Sequence, residues 1–93
     1  MIPYDKRSGK IWYNGSLVDW SDVKLHVLSH GLHYASCVFE GERVYDGSIF
    51  KLEEHTSRFF HSAKRMGFEI PFSEDQINHA SNKIIVNQNV KNG

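Results

Sequence analysis

A chain of 93 residues with 11 Lys+Arg, 11 Asp+Glu and no formal net charge is one small domain. It lacks the diffuse basic field that draws proteins to a phosphate backbone or an anionic bilayer, which argues against a nucleic acid or a membrane as partner. No window approaches the ~20 apolar residues of a membrane span, and Cys37, the single cysteine, excludes an internal disulfide framework, so a cytoplasmic compartment is expected.

Residues 1–10 are polar, contain Pro3, Ser8 and Gly9, show no apolar stretch of signal-peptide length, and are expected to form a flexible lead-in to a domain spanning 11–93. Asn14-Gly15 accepts positive φ and predicts a type I′ turn between strands at 11–13 and 16–19. Residues 24–28, KLHVL, alternate weakly and suggest a further short extended piece. Residues 37–45, CVFEGERVY, alternate well: Cys37, Phe39, Gly41, Arg43 and Tyr45 share one face, with Val38, Glu40, Glu42 and Val44 on the other. Asp46-Gly47 then turns the chain into SIFKL, giving a second hairpin.

Two helices follow. The first, over 53–66, opens on Glu53 and Glu54 and closes on Lys64 and Arg65, the charge order that suits the helix dipole, with Gly67 placed as C-terminal cap. Its inward stripe is read as His55, Phe59, Ser62/Ala63 and Met66. Ser73-Glu74-Asp75-Gln76 forms a capping box that starts a second helix, whose inner face is Ile77, Ala80/Ser81, Ile84, Ile85 and Gln88 and whose end is read at Asn92-Gly93. Strands followed by helices define an α+β fold with an antiparallel sheet of hairpins.

Candidate chemistry is sparse. His26, His30 and His33 have the spacing H-x3-H-x2-H, but the segment lacks a helical pattern and a second ligand cluster, so they are read as turn-holding residues and no metal site is expected. His55, His61 and His79 are read as surface or boundary positions. No cation or helix start lies near Cys37 in sequence to activate it as a nucleophile, and it is read as a small buried strand residue. No phosphate-loop, dinucleotide, nucleophile-elbow or zinc-protease signature is present. The 13% aromatic content requires an aromatic core or a ring-lined surface. For the face holding Phe39, Gly41, Arg43 and Tyr45, two readings stay open. Gly41 lets a ligand approach and Arg43 meets an anion, or the strand is a solvated rim where Gly41 permits a bulge. Spacing alone favours the rim.

The stretch HGLHYASCVFEGERVYDGSIFKLEEHTSRFFHSAKRMGFEIPF resembles the N-terminal domain of the branched-chain amino acid aminotransferases, class IV, fold type IV enzymes that use pyridoxal phosphate. The preceding IWYNGSLVDWSDVKLHVLSH is similar to the opening hairpin and pocket loop of that family, so the resemblance covers residues 11 to about 90. It implies the small domain of the D-alanine aminotransferase-like fold and an activity that transfers the amino group of leucine, isoleucine or valine to 2-oxoglutarate. Amino acid and 2-oxo acid would be its small-molecule partners, in an assembly of at least two subunits. It assigns Arg58 to the cofactor phosphate, Phe39 to the substrate side chain, Tyr34 to a neighbouring subunit's pocket, Gly41 to a gap in the pocket wall and Arg43 to its border. Ala35 and Cys37 stand where many relatives have Gly and Ser. The lysine that binds the cofactor as a Schiff base is implied to lie beyond residue 93, in a large catalytic domain. The chain alone is therefore expected to be inactive and to carry no catalytic residue. The D-amino-acid aminotransferases and aminodeoxychorismate lyases of the same fold, and a non-catalytic interaction module, are the alternatives.

Overall fold

A computed structural model describes residues 1–93. β1 (Lys10–Tyr13) and β2 (Ser16–Asp19) form an antiparallel hairpin in which Ile11 faces Val18 and Trp12 faces Leu17. Asn14 and Gly15 take φ of 49° and 101°, the left-handed turn expected of Asn-Gly. A single helical turn follows, α1 (His30–His33), closed by bonds from the Leu32 and His33 amides to the Ser29 carbonyl.

The second hairpin is shorter than its sequence pattern suggests. Only Val44–Tyr45 (β3) and Ser48–Ile49 (β4) pair, around a turn with φ of 48° at Asp46 and 77° at Gly47. Residues 37–43 are not a strand of any ladder, a correction to the strand expected over 37–45. Period-2 burial requires one face against the domain; it does not require a hydrogen-bonded neighbour. Residues 24–28 likewise form no strand, and the two hairpins remain separate two-stranded pairs.

α2 (Leu52–Arg65) ends in a Schellman arrangement: the Gly67 amide bonds the Lys64 carbonyl at 3.1 Å and the Phe68 amide bonds that of Ala63 at 2.8 Å, with Gly67 at φ 79°. α3 (Glu74–Asn87) starts at the expected capping box, with the Gln76 amide donating to Ser73 Oγ and the Ser73 amide to Gln76 Oε1. It ends earlier than Asn92-Gly93. Asn89, at φ 53°, takes the left-handed position, and the Val90 amide closes onto the Ile85 carbonyl. The tail then turns back to β3, where Val44 and Gly93 exchange both backbone hydrogen bonds at 2.7 and 3.0 Å.

The core is thin. Ala63 from α2, Ala80 and Ile85 from α3, and Thr56 from α2 are the buried residues. Small alanines let the two helices approach, and full burial of a side chain such as Ile85 contributes about 1.5–3 kcal/mol. The expected face of α3 is correct, while on α2 Met66 is exposed and Thr56, absent from the expected stripe, is the polar residue at the helix contact. Its hydroxyl bonds Asn78 Oδ1 of α3. β1 joins this core through Trp12, whose ring meets Phe72 edge-on at 5.0 Å, and through the Lys10 amide, which bonds Gln88 Oε1.

The chain exposes 7406 Å², where a compact monomer of its mass exposes about 5,500 Å². Its radius of gyration is 14.2 Å, against about 12 Å for a compact domain of this length. Leu25, Val27, Leu28, Leu32, Tyr34 and Phe39 account for much of the exposed apolar surface.

Candidate functional site

The alternation of residues 37–45 decides what this segment shows to its surroundings. Val38, Glu40, Glu42 and Val44 turn toward the domain, whereas Cys37, Phe39, Gly41, Arg43 and Tyr45 are exposed. The two faces expected from sequence are therefore real, but the face with the acids is the one that packs. Cys37 is exposed, a correction to its reading as a buried residue.

Glu40 is only 11% exposed at its side chain, and it points at α2. His55 and Arg58, three residues apart on that helix and so on adjacent turns, converge on its carboxylate. Arg58 donates from Nε to Oε2 and from Nη2 to Oε1, both at 2.7 Å, and His55 Nδ1 lies 2.6 Å from Oε1. An ionised carboxylate only accepts, so His55 carries its proton on Nδ1. The 3.4 Å between His55 Nδ1 and Arg58 Nη2 is thus the approach of two donors to one shared oxygen. The hydrogen bonds from Arg58, then those from His55, hold the Glu40 carboxyl at a pKa of about 2, and Glu40 in turn raises that of Arg58.

Arg58 remains 66% exposed despite this pairing. Glu40 takes the side-on edge of the guanidinium, made of Nε and Nη2. Nη1 makes no hydrogen bond, which leaves the end-on edge, Nη1 with the second N–H of Nη2, without a partner. A phosphate needs such an edge, two N–H groups in a fixed plane bearing a permanent positive charge. The chemistry of Arg58 fits the cofactor group that its sequence context implies.

Phe39 and Gly41 lie side by side on the exposed face: a Cβ on Gly41 would stand 3.5 Å from Phe39 Cζ, an ordinary contact, and the backbone there is not left-handed. Glycine at 41 is thus not demanded by this chain's own fold. Phe39 is 83% exposed. Tyr34 packs edge-on against His33 at 4.4 Å and His30 at 5.3 Å. His30 and His33 support Tyr34 with their rings, while His26 holds a turn by accepting from the Leu28 amide at Nδ1. Arg43 lies over the Tyr45 ring at 5.8 Å. The structure thus gathers Arg58 with Glu40 and His55, Phe39 with Gly41, Tyr34 with the α1 histidines and Arg43 with Tyr45, as separate local clusters along one segment and one helix. No group of three or more His, Cys, Asp or Glu is placed to hold a metal ion.

Ala35 adopts φ 58°, the left-handed region that a glycine occupies at far lower cost. Glu40 and His55 are the residues that sequence reasoning missed. The usable signal was the pair Glu40 and Glu42 on the face opposite Phe39, with two basic side chains one turn apart on the next helix. Glu42, half-buried, lines an open groove of about 470 Å³ with Ile11, Trp12, Val44, Ile49 and Ile84, and burial pushes its pKa up.

A family model described as amino-transferase class IV matches residues 37–93. The probable branched-chain-amino-acid aminotransferase of Rickettsia typhi is 43% identical over 91 residues, covering 98% of this chain and 32% of that protein. The branched-chain-amino-acid aminotransferase of Pseudomonas aeruginosa is 47% identical over 89 residues, covering 91% of this chain and 29% of its own length. Among solved structures, the branched-chain amino acid aminotransferase from Escherichia coli superposes with a TM-score of 0.88 at 39% identity, over 92% of this chain and 30% of that one. Another branched-chain amino acid aminotransferase, solved with pyridoxamine 5′-phosphate, superposes with a TM-score of 0.87 at the same 39% identity. The chain spans about a third of the length of these relatives.

Proposed function

The chain belongs to the amino-transferase class IV family, and on that premise we propose that it is the N-terminal small domain of a branched-chain amino acid aminotransferase. The parent enzyme, acting in the cytoplasm, transfers the amino group of leucine, isoleucine or valine to 2-oxoglutarate with pyridoxal phosphate as cofactor. The observation that carries this reading is Arg58, a guanidinium locked along one edge by Glu40 and open along the other. Identity of 43–47% to relatives bearing that enzyme's name supports it.

In this reading Arg58 grips the cofactor phosphate through its free edge. Bound there, pyridoxal phosphate supplies the electron sink for chemistry at the substrate α-carbon. The exposed face of 37–45 becomes a pocket wall, with Phe39 offering apolar contact to a branched side chain and Gly41 leaving room beside it. Arg43 borders that wall, and Tyr34, 63% exposed, reaches a neighbouring subunit's pocket in a homo-oligomer. The uncovered surface of the chain is contact area for the remainder of the enzyme and its partner subunit. The proton transfer between substrate and cofactor is assigned to no residue of this chain, so these 93 residues alone have no transaminase activity.

The test is a donor panel. The full-length protein carrying this chain, with 2-oxoglutarate as acceptor, is expected to turn over L-leucine, L-isoleucine and L-valine and to leave D-alanine untouched. Turnover of D-alanine without leucine would move it to the D-amino-acid branch, and leucine turnover by the 93-residue chain alone would overturn the small-domain reading.

A further inference from the structure

Arg58 sits on a helix surface with a long, rotamer-rich side chain, yet its guanidinium is held by two hydrogen bonds to one carboxylate, which His55 also contacts. We propose that Glu40, braced by His55, is a positioning residue that fixes Arg58 for phosphate capture; this rests on the reading of Arg58 as the phosphate ligand. The geometry divides the guanidinium into two working edges. The side-on edge is consumed by Glu40 at 2.7 and 2.7 Å, and this choice leaves the neighbouring end-on edge unpaired. His55 Nδ1, 2.6 Å from Oε1, keeps the carboxylate from swinging with the arginine. Glu40 is itself placed by the two-residue alternation of the extended segment: Phe39 and Gly41 are exposed while Glu40 is turned to α2. The same two-residue periodicity thus sets the pocket wall and aims the phosphate ligand behind it.

Two effects of Glu40 oppose each other. Its negative charge lies near an incoming dianion and works against binding. Its fork removes rotamer freedom that Arg58 would otherwise lose on binding, which works for it. The carboxylate holds the edge beside the open one rather than the open edge itself, and the solvent around a 66% exposed side chain screens its repulsion. Ordering one rotamer-rich side chain is worth up to about tenfold in affinity, so preorganisation prevails.

The experiment measures the dissociation constants of pyridoxal phosphate and of pyridoxal, which lacks the phosphate, for the full-length apo-enzyme, by quenching of tryptophan fluorescence. Glu40→Ala is expected to weaken pyridoxal phosphate about tenfold and leave pyridoxal unchanged. Glu40→Gln, which keeps the shape and one acceptor, is expected to lose a smaller part of the same discrimination, and it decides the matter if the alanine variant does not fold. Equal weakening of both ligands would reduce Glu40 to a structural residue. Unchanged or tighter pyridoxal phosphate binding would show that its charge, not its geometry, matters. Either result overturns the proposal. Arg58→Ala separates the two levels. If it leaves the preference for pyridoxal phosphate intact, the phosphate-ligand reading falls; if it abolishes that preference while Glu40→Ala does not, the positioning role alone falls.

Discussion

Replacing Thr56 by valine removes the polar tie between α2 and α3 with almost no change of shape. Thr56 is 2% exposed, and its hydroxyl donates to Asn78 Oδ1 across the helix contact. Loss of one neutral hydrogen bond costs about 1 kcal/mol, and a fully buried acceptor left unpaired costs about 1–3 kcal/mol more. Asn78 is only half-buried, so its oxygen regains part of this from water. The net effect of Thr56→Val is then about 1–2 kcal/mol, and at about 4–8 °C per kcal/mol for a domain of this size the midpoint falls by roughly 4–16 °C. Thermal unfolding followed by far-UV circular dichroism measures it. Asn78→Ala and the double variant complete a cycle with a coupling of about 1 kcal/mol. A valine variant that melts with the wild type, or strictly additive effects, would refute the claim that this pair ties the helices.

Three further outcomes follow from local geometry. Ser73→Ala removes half of the capping box of α3 and is expected to cost about 1 kcal/mol in chemical denaturation; no change in midpoint would mean that the helix start is held by packing alone. Ala35→Gly relieves a left-handed backbone at φ 58° and is expected to stabilise by about 0.5–1 kcal/mol after the added unfolded-state entropy of glycine is subtracted; destabilisation would show that the Cβ packs usefully. The two glutamates respond to pH in opposite senses. Glu40, lowered from 4.5 to about 2, contributes stability above pH 4.5 that is lost as pH falls toward 2. Glu42, raised above 4.5 by burial, is least costly below its unfolded value and loses stability as pH rises through its folded one. Glu42→Gln should therefore melt higher than the wild type at pH 7, the gain vanishing below about pH 4. A lower melting point at pH 7 would contradict a desolvated carboxylate.

Elements specified by neighbouring residues were legible in the sequence. Asn14-Gly15, Asp46-Gly47, Gly67 and the Ser73 box carry their own geometry, and each stands where local chemistry places it. Alternation over 37–45 also gave the two faces correctly. It failed to show that 37–43 lacks a ladder, because burial of one face and pairing of the backbone are independent properties. α3 ends before Asn92-Gly93 because Asn89 supplies the left-handed cap first. The inward turn of Glu40 depends on His55 and Arg58, 15 and 18 residues further along, and Thr56 depends on Asn78, 22 residues away. Such pairings lie outside any local window. The resemblance to branched-chain aminotransferases singled out Arg58, but the carboxylate paired with it became visible only in three dimensions.

The central claim, that the open edge of Arg58 receives a phosphate, is tested most directly by the affinity of the full-length apo-enzyme for pyridoxal phosphate with Arg58 replaced by alanine. Loss of a bidentate, charge-assisted contact predicts binding about 100-fold weaker, with pyridoxal affinity unchanged. Wild-type affinity for pyridoxal phosphate in Arg58→Ala would contradict it.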